Sequence, residues 1–467
     1  MAARTGSGAG TGRRWTGPRR FTAVCGALAA AWLGVAVLPY VLTRPLNQDF
    51  PQFYMAGALA AEGRWPSLYP DPVPGAGVNA GFYVLRAEGD LIGSTPKPGY
   101  SEAAERRGVQ KSNRFIYPPP VALLAWPFGE LRYRPAKCLF GGLLAAASWG
   151  TGFWAVAIGR RLRGGPSRVD GLVWLLICVS PMTLASLRLM NVTPLIAFGI
   201  GAAVWAMLSH GRARAAGPVA VAALSFGGVF KSTTAPLWLL EVALGRWRVA
   251  GGVVAVAAVT MGLGVAVGGV GPLREYVEVI LPTLGHGVDS MRNNQSLSVV
   301  AGWAGLAPEA ATAWTQRLGL AVIALAAAAV FAQRHAIADD PGRLAAWACL
   351  MLTVYLITSP LCWEHYALLT APFWGGWLSV GRGSRWRGAV LGLAVLSAWS
   401  AFAGSAGQPL HPYTPDWLVK HHLWTSLAVV GVMAGIGLRP GPRVSEAGAE
   451  ARPTADYSHS APTADAA

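Results

Sequence analysis

Apolar runs of about 20 residues, the length that crosses a hydrocarbon core, recur along nearly the whole chain, broken by short polar stretches. They fall at 21–43, 136–159, 169–187, 192–209, 217–230, 233–244, 249–269, 313–333, 343–358, 364–380, 387–404 and 420–438. This pattern predicts an all-α integral membrane protein, a polytopic bundle of about twelve transmembrane helices. The run at 119–131 is too short to cross at full thickness and reads as a re-entrant or partial helix. Residues 217–244 read as a hairpin turning at Lys231–Pro236, which keeps both basic flanks on one side. Met1–Arg20 and Arg439–Ala467 lack apolar periodicity and read as disordered cytoplasmic tails around a membrane domain at 21–438.

Composition sharpens this picture. Of the 467 residues 53% are hydrophobic and only 13% charged, against about 25% charged in soluble domains, which excludes an ordinary soluble enzyme. Lys and Arg outnumber Asp and Glu by 38 to 22. The excess sits in short loops, at Arg160–Arg168, Arg212–Arg214, Arg246–Arg248, Arg334–Arg343 and Arg382–Arg387, so it reports a cytoplasmic side rather than a nucleic-acid partner. The five cysteines have neither metal-ligand spacing nor a paired framework. No Walker loop, GxGxxG, HExxH or nucleophile elbow is present, so no nucleotide cofactor and no metal is expected.

That orientation leaves few polar segments on the outer face: Arg44–Tyr117, Arg188–Thr193, Lys231–Thr234, Gly271–Thr312, Thr358–His365 and Gly404–Lys420. The first is long enough to form a small loop subdomain (44–117) over the bundle. Asp49 opens a stretch to Glu62 that reads as an amphipathic interfacial helix. Asp49 is either a partly desolvated general base or merely that helix's N-cap. Lys231, in FKSTTAP, suits a phosphate, as does Arg188 in SLRLMNVTP, although both residue types also snorkel at helix ends. Asn293, Asn294 and Gln295 offer amides to sugar hydroxyls or else form an Asx turn. Trp363, Glu364 and His365 stand where an apolar run begins, a costly place for Glu and His unless they bind something.

Together these stretches, DFPQFYMAGALAAEGRWPSLY, FIYPPPVALLAWPF, FKSTTAP, NNQSL and SPLCWEHYALLTAPF, resemble glycosyltransferase family 87 of the GT-C superfold, the polyprenyl-phosphate-mannose-dependent α-mannosyltransferases of actinobacteria. The resemblance implies a GT-C bundle in the plasma membrane with its active site on the outer face. It further implies Asp49 as catalytic base, with a polyprenyl-phosphate-sugar donor and a glycolipid or lipoglycan acceptor meeting the other motifs. Lys231, His365 and Arg188 then serve the donor phosphate, and Asn293, Asn294, Gln295, Trp363, Glu364, Tyr54 and Tyr117 the substrates. Where related sequences often read His-His after the Trp, this chain has Glu364–His365. Arabinofuranosyl transfer is the alternative inside the family. A transporter or lipid flippase is the alternative outside it, against which stand the absence of a clear internal repeat and the gathering of polar residues at one face.

Overall fold

The computed structural model describes residues 17–43, 49–69, 71–72, 84–85, 91–92, 94–95, 97–109, 115–211, 213–282, 294–360, 362–376 and 421–438. The chain divides into two units, Met1–Gly437 and Leu438–Ala467, and the elements below belong to the first. The tail at 439–467, the apolar run at 387–404 and the segment Gly404–Lys420 lie outside the described residues. So do Met1–Thr16, but Gly17–Arg20, placed in the N-terminal tail by their polarity, already form the first turn of helix.

Among the described residues six helices are long and apolar enough to cross a membrane. They are α1 (Gly17–Thr43), α5 (Tyr133–Arg163), the pair α6 (Val169–Val179) and α7 (Pro181–Leu189), α11 (Trp247–Gly268), α14 (Pro308–Ala332) and α16 (Pro341–Thr358). Three apolar helices are shorter: α8 (Thr193–Leu208), α9 (Ala216–Phe230) and the last, α17 (His421–Gly437). The remainder are α2 (Phe50–Ala61), α3 (Pro98–Arg106), α4 (Pro119–Gly129), α10 (Ala235–Ala243), α12 (Val270–Glu275), α13 (Leu297–Trp303) and α15 (Arg334–Ala338). Four two-residue strands pair within the first loop: Asp71–Pro72 with Ser94–Thr95, and Val84–Leu85 with Leu91–Ile92.

Local chemistry sets the breaks. The run at 169–189 is interrupted at Ser180, whose hydroxyl accepts from the Thr183 N–H at 3.3 Å while Pro181 starts the next helix without needing a donor of its own. Between α9 and α10 the chain reverses at Lys231–Pro236: Thr234 Oγ1 donates back to the Leu224 carbonyl, and Trp238 Nε1 reaches the Ala250 carbonyl near the start of α11. Glu364–Phe373 forms a 3₁₀ helix where an α-helical span from 364 to 380 was expected. Pro372 within it has no N–H to continue an α-helical ladder, and just beyond it Gly375 approaches α5 so closely that an added Cβ would clash with the Ala155 carbonyl.

A second correction concerns α2. Its sequence suggests an amphipathic helix on the interface, yet all but the last of its twelve residues are buried. It is apolar on every side apart from Gln52, and it crosses α4 backbone to backbone. A Cβ on Gly57 would stand 2.1 Å from the Ala125 carbonyl oxygen, and one on Gly129 would stand 2.3 Å from the Ala58 nitrogen. Small residues permit that approach. The first part of the 44–117 segment is thus built into the bundle. Helix α4, 11 residues or about 16 Å long, falls well short of a hydrocarbon core of about 30 Å.

An ionic clamp holds α3 to the end of α2. Glu62 accepts from Arg106 at 2.8 Å and from Arg107 at 2.9 Å, while Arg64 meets Glu102 at 3.0 Å. Burial alone would raise the Glu62 carboxyl, but the hydrogen bonds and charges of Arg107 and Arg106 hold it below the usual carboxylate range.

Candidate active site

Asp49 occupies the residue before α2, but its side chain makes no capping bond to that helix. Its N–H donates to the Leu189 carbonyl at 3.1 Å, tying the start of α2 to the end of α7. Its carboxylate turns toward two carboxamides, Oδ2 accepting from Asn191 Nδ2 at 2.5 Å and Oδ1 from Gln52 Nε2 at 3.1 Å. Asn191 is itself immobilised, buried, with Oδ1 accepting from the Thr193 N–H at 2.9 Å and the Thr193 hydroxyl at 2.6 Å. The turn presenting it runs through Met190 at φ 51°, ψ 43°, a left-handed conformation that non-glycine residues adopt rarely and often at functional sites. The two amides thus aim the carboxylate, one at each oxygen.

Arg188, one residue before Leu189, is half-buried and makes no hydrogen bond or ion pair among the described residues. Lys231 lies in extended conformation after α9, and its Nζ donates to Tyr366 Oη at 2.5 Å. The ammonium also faces the rings of Tyr366 and Tyr117, at 4.4 and 5.8 Å from their centroids. Tyr117 packs on Phe53 of α2 with ring centres 4.7 Å apart, so one aromatic chain links the helix that begins at Asp49 to the cation. His365 stands edge-on to Tyr366 at 4.8 Å. The imidazole is buried, and its Nε2 has no hydrogen-bond partner among the described residues. A buried nitrogen without a partner is costly.

Other anticipated residues serve differently. Asn294 uses its amide on the main chain: Oδ1 accepts from the N–H groups of Ser296 at 3.1 Å and Cys362 at 3.0 Å, and Nδ2 donates to the Pro360 carbonyl at 2.9 Å. The Gln295 N–H adds a bond to the Cys362 carbonyl at 2.6 Å, and Asn294 bridges Trp363 in antiparallel fashion. Asn294 therefore staples two loops together. Gln295 is buried beside it, and Trp363 is half-buried. Tyr54 turns to another side, its hydroxyl donating to the Leu131 carbonyl at 3.0 Å and its ring packing on Tyr133. Asn293 lies outside the described residues, as does the Glu364 side chain.

Reasoning from residue types missed Asn191, Gln52 and Tyr366. The one signal for Asn191 was its place in MNVTP, a polar residue between two apolar runs followed by a helix-starting Thr-Pro.

An apolar helix bundle with a carboxylate, an ammonium and an imidazole at the ends of its helices defines an integral membrane protein with a polar site, and the family match makes it a membrane glycosyltransferase. Residues 115–360, just over half of the chain, match Glycosyltransferase family 87, and the chain belongs to that family. The matched segment holds Arg188, Asn191, Lys231 and Asn294; it begins after Asp49 and stops before Trp363–His365. No curated protein matches the chain.

Proposed function

We propose that the protein transfers a sugar, mannose in the first instance, from a polyprenyl-phosphate donor to a cell-envelope glycolipid or lipoglycan, on the outer face of the plasma membrane. The observation that carries this reading is the pairing of an amide-held Asp49 carboxylate with the Lys231, Tyr366 and His365 cluster across the Phe53–Tyr117 contact. A sugar phosphate ester already has a leaving group, so the enzyme must supply a base and a cationic seat for the departing phosphate. Asp49 takes the proton of the acceptor hydroxyl as its oxygen bonds the anomeric carbon. The bond from that carbon to the phosphate oxygen breaks, and the polyprenyl phosphate leaves with the electron pair. One displacement inverts the centre, turning a β-linked donor into an α-linked product. Lys231, His365 and Arg188 bear the growing phosphate charge.

The test incubates the purified full-length protein with polyprenyl-phosphate mannose and polyprenyl-phosphate arabinose in separate arms, each with a lipoglycan acceptor. Product with mannose, absent in Asp49→Asn, supports the reading; product with arabinose alone reassigns the sugar; equal product from Asp49→Asn removes the base.

A further inference from the structure

A groove of about 770 Å³ runs along the flank of the bundle between α9 and α11, with Leu124 of α4 also lining it. Its α9 wall extends from Gly217 to Val229 and its α11 wall from Arg248 to Thr260. Each wall spans twelve steps of helix, about 18 Å, close to the depth of one hydrocarbon leaflet, about 15 Å. The wall is apolar almost throughout, through Val221, Ala222, Phe226 and Val256.

The end away from Lys231 is different. There His210 and Arg248 line the mouth, both exposed, and neither side chain makes a hydrogen bond or ion pair among the described residues. Trp247, 63% exposed beside Arg248, is the amphipathic ring that settles at a membrane interface. One polar atom interrupts the wall: Ser225 is buried, and its hydroxyl has no partner among the described residues.

We propose that this groove is a binding site for an anionic glycerophospholipid, with its phosphate at Arg248 and His210 and an acyl chain lying between α9 and α11. The charge complementarity at the mouth selects an anionic headgroup. The site faces the leaflet at the arginine-rich end of the bundle, opposite the Asp49 cluster, and stands independently of the transferase reading.

The experiment is native mass spectrometry of the full-length protein in detergent, with phosphatidylglycerol and phosphatidylcholine of identical chains added in separate arms. The wild type should retain phosphatidylglycerol at least about fivefold better, the expected worth of one cation near an anionic lipid. The double variant Arg248→Gln, His210→Ala should bring it down to the phosphatidylcholine level. Ala222→Trp, on an exposed position of the wall, should lower retention of both lipids; Gly217→Leu, where an added Cβ meets nothing within 4 Å, repeats that test if the first variant does not fold. Equal retention of the two lipids by the wild type would overturn the proposal, as would undiminished phosphatidylglycerol in the charge variant. A polyprenyl phosphate arm completes the test: its loss in Ala222→Trp with phosphatidylglycerol unmoved would give the groove to the donor tail instead.

Discussion

The two ends of the bundle treat charge in opposite ways. At one end most of the paired arginines are answered from within the protein. Arg160 Nε meets Asp170 at 2.7 Å, Arg163 meets the same carboxylate, and Arg246 pairs with Glu241 at 3.3 Å. Arg161, Arg163 and Arg246 also donate to the carbonyls of Leu208, Gly375 and Met207. At the other end charged groups are oriented by neutral ones: Asp49 by two carboxamides, Lys231 by tyrosines, and Arg188 by no hydrogen bond or ion pair among the described residues. A desolvated charge is costly without an opposite charge or full hydrogen bonding. The first end thus draws its ion pairs from within the fold while Arg248 stays open, and at the second end Lys231 and Arg188 have no carboxylate partner among the described residues.

The strongest break of this contrast is Asp49→Asn. It preserves shape and both amide contacts are replaceable, so stability should hold while turnover falls by about a hundredfold to ten-thousandfold, the range for a lost general base. Turnover above half of wild type would end the assignment. At the opposite end Asp170→Ala should do the reverse. It strands two guanidinium groups beside a carboxylate side chain that is only 1% exposed, at a stability loss of about 3 kcal/mol, the lower edge for a broken buried pair because Arg160 can reach water. Thermal denaturation in micelles measures it, and the fraction that stays folded should keep its turnover per molecule.

Lys231→Met keeps the stem and removes the charge. Donor binding should weaken by about 1.5–3 kcal/mol, the size of a charge-assisted hydrogen bond, with acceptor binding nearly unchanged. Titrating donor and acceptor separately decides it; a loss confined to the acceptor would move Lys231 to the other half of the site. The smallest effect belongs to Glu62. Its folded carboxyl titrates below the unfolded one, so its contribution is fully present above the unfolded value, about 4.3, and is lost as pH falls through the folded value. Tm should drop slightly more between about pH 5 and about pH 3 in the wild type than in Glu62→Gln; an equal drop would show that the clamp does not report to stability.

The spans were legible because a bilayer demands long apolar runs: α5 starts at Tyr133 where 136 was read, and α16 ends at Thr358 as read. Residues 364–373 were not, since a 3₁₀ helix and an α-helix share an apolar composition. Helix α2 misled for a related reason, because its one polar side chain, Gln52, faces Asp49 rather than water. In the site, Asp49, Lys231 and His365 stood out as costly groups in apolar surroundings. Asn191 did not, being uncharged and 142 positions from the carboxylate it holds. The main-chain bonds of Asn294 were not legible, since an amide that binds sugar and one that binds main chain look alike in a sequence.

The staple formed by Asn294 carries a consequence for the timing of biogenesis. Its bond to the Cys362 N–H joins positions 68 residues apart, with α13, α14, α15 and α16 made in between. Closure of so long a loop cannot precede synthesis and insertion of those helices, whereas the bond from Asn191 to Asp49 can form once α7 has emerged. A nascent chain arrested after α11 would hold its carboxylate in place but lack the 359–363 turn and the His365 imidazole. Asp49, Arg188 and Lys231 are thus in place early in translation and His365 joins them late, so on the proposed reading a truncated intermediate is inert by order of manufacture.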